Sequence, residues 1–215
     1  MSADYSQIEL RIIASLAGED AMIDAFAHGQ DIHRSTAARV FGVPLEEVTK
    51  EQRSHAKTVN FGIIYGVSAH GLSRQTTLSR AESAAIIDIE AQKQFARDHG
   101  YVETIMGRRR YLPDINSRNG TVRGAAERNA VNAPVQGSAA DIIKKAMIDI
   151  HAAVETMGLK SKMLIQVHDE LVFDVPRDEV ERMGSMVKEK MEGARIHRVP
   201  LLVEIGTGDN WLDAH

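Results

Sequence analysis

Two short acidic stretches carry the strongest hint of chemistry in this sequence. The first is Asp4-Tyr5-Ser6-Gln7-Ile8-Glu9-Leu10-Arg11, with Asp4 where a short strand turns into a helix. An aspartate at such a turn suits a metal ligand, yet an acid near an N-terminus, taken alone, is more often simply solvated. The second is Gln166-Val167-His168-Asp169-Glu170-Leu171-Val172-Phe173, in which acids occupy the tip of a hairpin between two apolar runs. If both runs enter a core, leaving these carboxylates unpaired is costly, and a hard cation such as Mg²⁺, which prefers carboxylate oxygen, would compensate them. Read alone, the motif is equally an ordinary acidic turn. A His-Asp pair also suits a metal phosphohydrolase, but no further histidine and aspartate ligands stand at helical spacing.

Two polar stripes complete the set. Arg53, Lys57, Phe61 and Tyr65 recur every four residues, so each is displaced by about 40° from the last and the four trace one slanting line along a helix. Cations at one end and aromatic rings at the other suit a nucleoside triphosphate, with phosphates on the cations and base against a ring. A solvated basic edge beside a core-facing aromatic edge has the same pattern. Arg128, Asn132 and Gln136 repeat the four-residue step with hydrogen-bonding side chains, suited to phosphates, sugars or minor-groove acceptors, and equally to plain solvent.

The elements that must position these residues can be read from periodicity and punctuation. A strand running into a helix covers Asp4 to Leu16, and an alanine-rich helical pattern covers Glu19 to Val40. Thr49 and Gln52 form a capping box that starts a helix reaching about Tyr65, and Gly71 follows in a turn. Arg80 to Asp98 is helical and stops at Gly100; Tyr101 to Thr104 is a strand; Pro113 to Gly120 is a loop. Ala125 to Met157 is helical, with a kink expected at Pro134 and a stop at Gly158. Strands over Lys162–Val167 and Leu171–Val175, a helix over Glu179–Gly193 and a strand over Val199–Ile205 close the chain. Helices in the middle and strands at both ends predict an α+β fold whose sheet draws on distant segments.

Composition bounds the rest. With 43% hydrophobic and 26% charged residues, the 215-residue chain reads as an ordinary soluble globular protein. No apolar run approaches the roughly 18 residues of a membrane helix, and the first residues lack the pattern of a secretory signal. The absence of cysteine excludes disulfides and thiolate metal sites. A net charge of −4 argues weakly against a nucleic-acid partner, although Arg108, Arg109, Arg110, Arg118, Arg123 and Arg128 form a local basic cluster.

Together the four constellations resemble the family A DNA polymerases. Asp4–Arg11 is similar to the family's motif A, Arg53–Gly66 to motif B and Gln166–Phe173 to motif C. The likeness extends through Asp31-Ile32-His33-Arg34, Leu112-Pro113-Asp114, Asn132–Gly137 and Asn210-Trp211, in the family's order, and overrides the blander reading of each motif. It implies an antiparallel palm sheet with helices on one face and a mainly helical fingers subdomain: residues 1–14 and 126–215 as palm, residues 15–125 as fingers. It further implies template-directed nucleotidyl transfer from dNTPs to a primer 3′-hydroxyl, with primer-template DNA as partner and a cytoplasmic, nucleoid-associated location.

The implied roles are these. Asp4 and Asp169, with the Tyr5 carbonyl, hold two Mg²⁺ ions, and Glu170 is a supporting acid. Lys57, Arg53 and His33 bind the triphosphate, Lys57 also donating a proton to pyrophosphate; Phe61 stacks on the incoming base. Glu9 and Tyr65 crowd the sugar 2′ position, which argues against the related single-subunit RNA polymerases. Gln7, Arg128, Asn132, Gln136 and His168 contact nucleotide, primer or template. Two departures accompany the likeness. The chain begins at motif A, without the thumb, which leaves a DNA- or nucleotide-binding fragment with little turnover as the alternative. The stretch between Ser79 and Gly100 is also about a dozen residues shorter than expected.

Overall fold

The computed structural model describes residues 1–18, 20–64, 80–194 and 199–214, and within them the side chains of all but residues 21, 58–64 and 80–89. The chain divides into two compact units, Met1–Ile12 with Ala139–His215, and Ile13–Ser138. The mixture of helices with an antiparallel sheet is the α+β class expected from the sequence.

The first unit is built on a four-stranded antiparallel sheet. Its strands are β1 (Ser2–Tyr5), β4 (Lys162–Val167), β5 (Glu170–Asp174) and β6 (Val203–Gly206), in the order β4-β5-β1-β6. The first residues of the chain thus form an inner strand between two strands contributed by its last third. Helix α7 (Val180–Glu192) packs on β1 and β6. Its buried Met183, Met186, Val187 and Met191 follow the three-and-four spacing that lines one helical face. Ile142, Ile143, Ala146 and Ile150 repeat that spacing on the C-terminal half of α6 (Gly120–Met157), all at most 2% exposed.

The apolar flanks of the hairpin behave differently from expectation. Leu171 and Phe173 on β5 are buried, but Leu164 and Ile165 on β4 are 60% and 55% exposed. The reason is position: β4 is the outer strand of the sheet, and its register shifts between Met163 and Ile165.

The second unit is largely helical. The alanine-rich stretch divides into α2 (Asp20–Ala27) and α3 (Ile32–Phe41), because Asp31 caps the second helix by accepting from the His33 and Arg34 N–H groups. A 3₁₀ turn (Leu45–Glu47) leads to α4 (Lys50–Ile64). The capping box forms as read: Thr49 N–H donates to Gln52 Oε1 at 2.9 Å and Gln52 N–H to Thr49 Oγ1 at 3.2 Å. Ala37, Val48 and Ala56 join α3 to α4.

Helix α5 (Arg80–His99) ends at Gly100, whose φ of 76° is open to glycine at little cost. The chain then enters a two-stranded ribbon of β2 (Tyr101–Glu103) and β3 (Arg109–Tyr111). A small core of Ala96, Val102, Leu112, Ile115, Ala126 and Ala130 fixes this ribbon to α5 and to the first half of α6. That helix begins five residues earlier than expected, where Asn119 Oδ1 accepts from Thr121 and Val122. Pro134 lies within it, and Ser138 Oγ donates to the carbonyl of Pro134. Residues 65–79, which include Tyr65 and Gly71, lie outside the described residues.

Candidate active site

In the first unit the acids come together through backbone pairing. Asp4 stands directly opposite Glu170 on β5 and Glu204 on β6, so three acids form a row across the sheet. Directly opposed residues share a face, and like charges so placed repel. Asp169 adjoins this row: the Tyr5 N–H donates to the Asp169 carbonyl at 3.3 Å. Two aspartates far apart in sequence therefore occupy neighbouring places at one end of one sheet. Asp4 is half-buried with Oδ1 enclosed, Asp169 is half-buried, and Glu170 is 4% exposed.

The turns that present these acids are strained. Among the described residues, the non-glycine positions with positive φ are Gln7 at 57° and His168 at 53°. His168 opens the two-residue loop between β4 and β5, where a tight hairpin demands positive φ and usually takes glycine. Gln7 lies where β1 turns into α1 (Ile8–Ala17). Such backbone costs of order 1–3 kcal/mol and persists only where the surroundings over-determine it.

The supports are visible. Arg11, 4% exposed, donates from Nε to the Ser6 carbonyl at 2.8 Å and from Nη1 to the Pro200 carbonyl at 2.7 Å. Tyr5, 1% exposed, donates its hydroxyl to the Met191 carbonyl at 2.8 Å. Burial first, and the charge of Glu192 second, push the Tyr5 hydroxyl above its ordinary range, so it stays a donor. With its side chain committed inward, Tyr5 has only its backbone to offer the acidic end of the sheet. Glu170 accepts a hydrogen bond from Trp211 Nε1 at 2.9 Å.

In the second unit a cationic group gathers around the start of α3. Arg53 on α4 donates from Nε to Asp31 Oδ2 at 2.5 Å, which places it over the capped N-terminus beside His33. Burial raises the Asp31 carboxyl, but its bonds to Arg53 and to the Arg34 and His33 N–H groups outweigh that and hold it below the ordinary value. His33 is 2% exposed, and burial, reinforced by the charges of Arg53 and Lys57 against that of Asp31, lowers its pKa. Lys57 is exposed one turn beyond Arg53. The backbone of α4 carries Phe61 on the same line, but its side chain, like all of Tyr65, lies outside the described residues.

The remaining sites fall on helices. Glu9 is in the first turn of α1, and Arg128, Asn132 and Gln136 lie along α6, the outer two exposed and the Asn132 Oδ1 enclosed. Much of the basic cluster is engaged within the fold. Arg109 bonds Glu103 at 2.6 Å and covers the Tyr101 ring at 4.4 Å, Arg108 donates to the Gly137 carbonyl, and Arg123 donates to the Ser117 carbonyl.

This arrangement can be set beside known proteins. The chain matches the model of the family described as DNA polymerase family A over residues 1–213. The chain belongs to the family A DNA polymerases. DNA polymerase I of Pseudomonas aeruginosa is 50% identical over an alignment covering 100% of this chain and 25% of that protein. DNA polymerase I of Bacillus subtilis is 48% identical, covering 99% of this chain and 26% of its own length. The chain therefore spans about a quarter of these relatives. The first alignment runs over 227 positions for a chain of 215 residues, so that family A relative carries positions this chain lacks. A solved structure, the POL domain of Pol1 from M. smegmatis in complex with DNA primer-template and dNTP, matches with a TM-score of 0.92 and 44% identity. The match covers 99% of this chain and 40% of that one.

Whether the acidic end suits a metal is a matter of donor chemistry. Asp4, Asp169 and the Tyr5 carbonyl offer only hard oxygen, the set Mg²⁺ prefers. Among the described residues, no group of three or more His, Asp or Glu is arranged to hold a metal ion. Mg²⁺ commonly binds through one or two carboxylates and completes its shell with water and substrate phosphate, so two aspartates fit it without a full protein cage.

Sequence reading missed some of this machinery. Arg11 and Trp211 were visible only as letters within motifs. Nothing in their spacing signals that one braces the turn after Asp4 and the other binds Glu170.

Proposed function

We propose that this chain is the nucleotidyl-transfer portion of a template-directed DNA polymerase, adding dNTPs to a primer 3′-hydroxyl. In this reading residues 1–14 and 126–215 are the palm and residues 15–125 the fingers, while the compact units divide at Ile12 and Ser138. The observation that supports it most is the meeting of Asp4 and Asp169 at one end of the sheet, through the Tyr5 N–H bond to the Asp169 carbonyl.

Asp4 and Asp169, with the Tyr5 carbonyl, would hold two Mg²⁺ ions. When bound, these supply an activated primer hydroxyl and charge stabilisation on the leaving pyrophosphate. The protein's own part is to present the carboxylates. The β1–β5 ladder and the Tyr5 N–H bond to the Asp169 carbonyl bring the two strand ends together, and the Tyr5 and Arg11 anchors keep the strand end from fraying. Glu170 supports Asp4 from the facing strand. Arg53, Lys57 and His33 receive the triphosphate, and Lys57, the exposed member, donates a proton to the departing pyrophosphate. Neutral His33 serves as a hydrogen-bonding neighbour and adds no third charge. Phe61 stacks on the base, and Glu9 with Tyr65 rejects a 2′-hydroxyl. Gln7, Arg128, Asn132, Gln136 and His168 contact the nucleic acid.

Primer extension with labelled dNTP and Mg²⁺, at low salt and excess protein, tests the reading. Asp169→Ala is expected to reduce extension by more than roughly 10²-fold, since even a misplaced ligand costs that much, while circular dichroism stays native. Equal extension by the variant would refute the assignment. The 215-residue chain alone is expected to extend feebly, because net charge −4 leaves few phosphates neutralised.

A further inference from the structure

We infer that Trp211 is a positioning residue for the acidic end of the sheet, held in place by a C-terminal turn that glycines allow to dock on β6. The inference rests on the proposed metal-binding role of Asp4 and Asp169.

Asp4 and Glu170 are directly opposed acids, and such a pair repels unless one charge is drawn aside. The structure supplies the means, since Trp211 Nε1 donates to Glu170 Oε1 at 2.9 Å. Glu170 is 4% exposed while Trp211 is 49% exposed, so the bond is screened from solvent on the carboxylate side and lies open on the other. It fixes one Glu170 oxygen and spreads its charge, which settles the Asp4 carboxylate facing it.

The indole is itself positioned. Asn210 closes a tight turn by donating from Nδ2 to Asp213 Oδ2 at 2.6 Å and accepting from the Asp213 N–H at 3.1 Å. The turn ends at Ala214, whose carbonyl accepts from Ser2 Oγ at 3.1 Å. Ser2 pairs with Gly206, and the Ala214 carbonyl approaches Gly206 so closely that a Cβ there would lie 1.8 Å from its oxygen. Because the obstructing atom is backbone, Gly206→Ala must lift the turn, and Trp211 with it, while leaving the indole chemically intact.

Titration of the chain with Mn²⁺ alone, counting free ion by electron paramagnetic resonance, tests this without any turnover. Trp211→Phe is expected to weaken Mn²⁺ binding by up to about tenfold, the low end of what a partner of a ligand contributes, because Trp211 acts on Asp4 through Glu170. Trp211→His, which keeps a ring N–H, is expected to restore most of it. Gly206→Ala is expected to weaken binding similarly and to shift the emission of the sole tryptophan to the red. Parent affinity in natively folded Trp211→Phe and Gly206→Ala overturns the inference and leaves the metal site standing. Should Trp211→Phe fail to fold, Gly206→Ala and Trp211→His decide by the same titration. Asp169→Asn separates the two readings: if it binds Mn²⁺ like the parent, or the parent binds none, the metal site falls and this inference with it.

Discussion

The acidic end of the sheet and the cationic start of α3 are built by opposite means. Asp4 and Glu170 are placed by the register of β1 against β5, and Asp169, whose carbonyl accepts from the Tyr5 N–H, by the tight turn between β4 and β5. His33, Arg53 and Lys57 are placed by helix caps and one ion pair, Arg53 with Asp31, whose side chains are 44% and 33% exposed. Short acids on a ladder have few rotamers to lose and hold geometry tightly. Long cations on a helix keep their reach, and an ion pair so exposed is worth little in water. The contrast suits the proposed division of labour: metal ligation tolerates little misplacement, whereas a triphosphate can be met by side chains that adjust.

The contrast can be broken most sharply at Lys57. Because it is exposed, Lys57→Ala should leave the melting temperature near that of the parent while weakening dNTP binding. The expected loss is about 1.5–3 kcal/mol, the weight of a charge-assisted bond. Calorimetry that finds equal dNTP affinity removes Lys57 from the site.

Glu9 tests the other region, since it stands one turn beyond the sheet end. In an enzyme carrying this segment, Glu9→Ala should raise the ratio of ribonucleotide to deoxyribonucleotide incorporation by roughly tenfold, about 1.4 kcal/mol of lost discrimination. An unchanged ratio in competition assays excludes the role.

Thr49→Ala probes how far the helix-mounted group depends on local capping. It should cost about 1 kcal/mol and speed amide exchange in the first turn of α4, leaving β1 and β5 protected. Loss of protection in the sheet would show that the two regions are not separately braced.

The smallest effect is a pH slope. His33 titrates below its ordinary 6.5 in the folded protein because it is buried beside Arg53 and Lys57. Its contribution to stability is therefore complete above about pH 6.5 and is lost as pH falls through its lower folded value. Melting temperatures followed from pH 7.5 to 5 should decline, and His33→Gln should flatten that decline; an identical slope in the variant removes His33 as its source.

Legibility in the sequence divides along physical lines. The capping box at Thr49 and Gln52 was readable because its two hydrogen bonds are local. The β4–β5 hairpin was readable because turn and strand signals coincide. Strand β3 was not, since Arg109, Arg110 and Tyr111 are all exposed and show no alternation, so they register as a charged cluster. The break at Asp31 was hidden inside an alanine-rich pattern that runs through it. The apolar look of Leu164 and Ile165 misled, because burial of a strand depends on its place in the sheet and not on its letters. Trp211 could not be assigned, since its partner lies 41 residues away and nothing local marks the pairing.

The placing of β1 between β5 and β6 has a consequence for the order in which the molecule can form. Ser2 pairs with Val172 and Gly206, so the strand that carries Asp4 gains its neighbours only after β5 and then β6 have been made. Contacts of such separation must repay a large loop closure before they stabilise anything, and they form late. At ribosomal rates of about 5–20 residues per second, β1 waits on the order of 10–40 s for its second partner. The capped helices α3 and α4 need only near neighbours and can assemble during that interval. The acidic end of the sheet is thus completed after α3 and α4, although Asp4 is made before either of them.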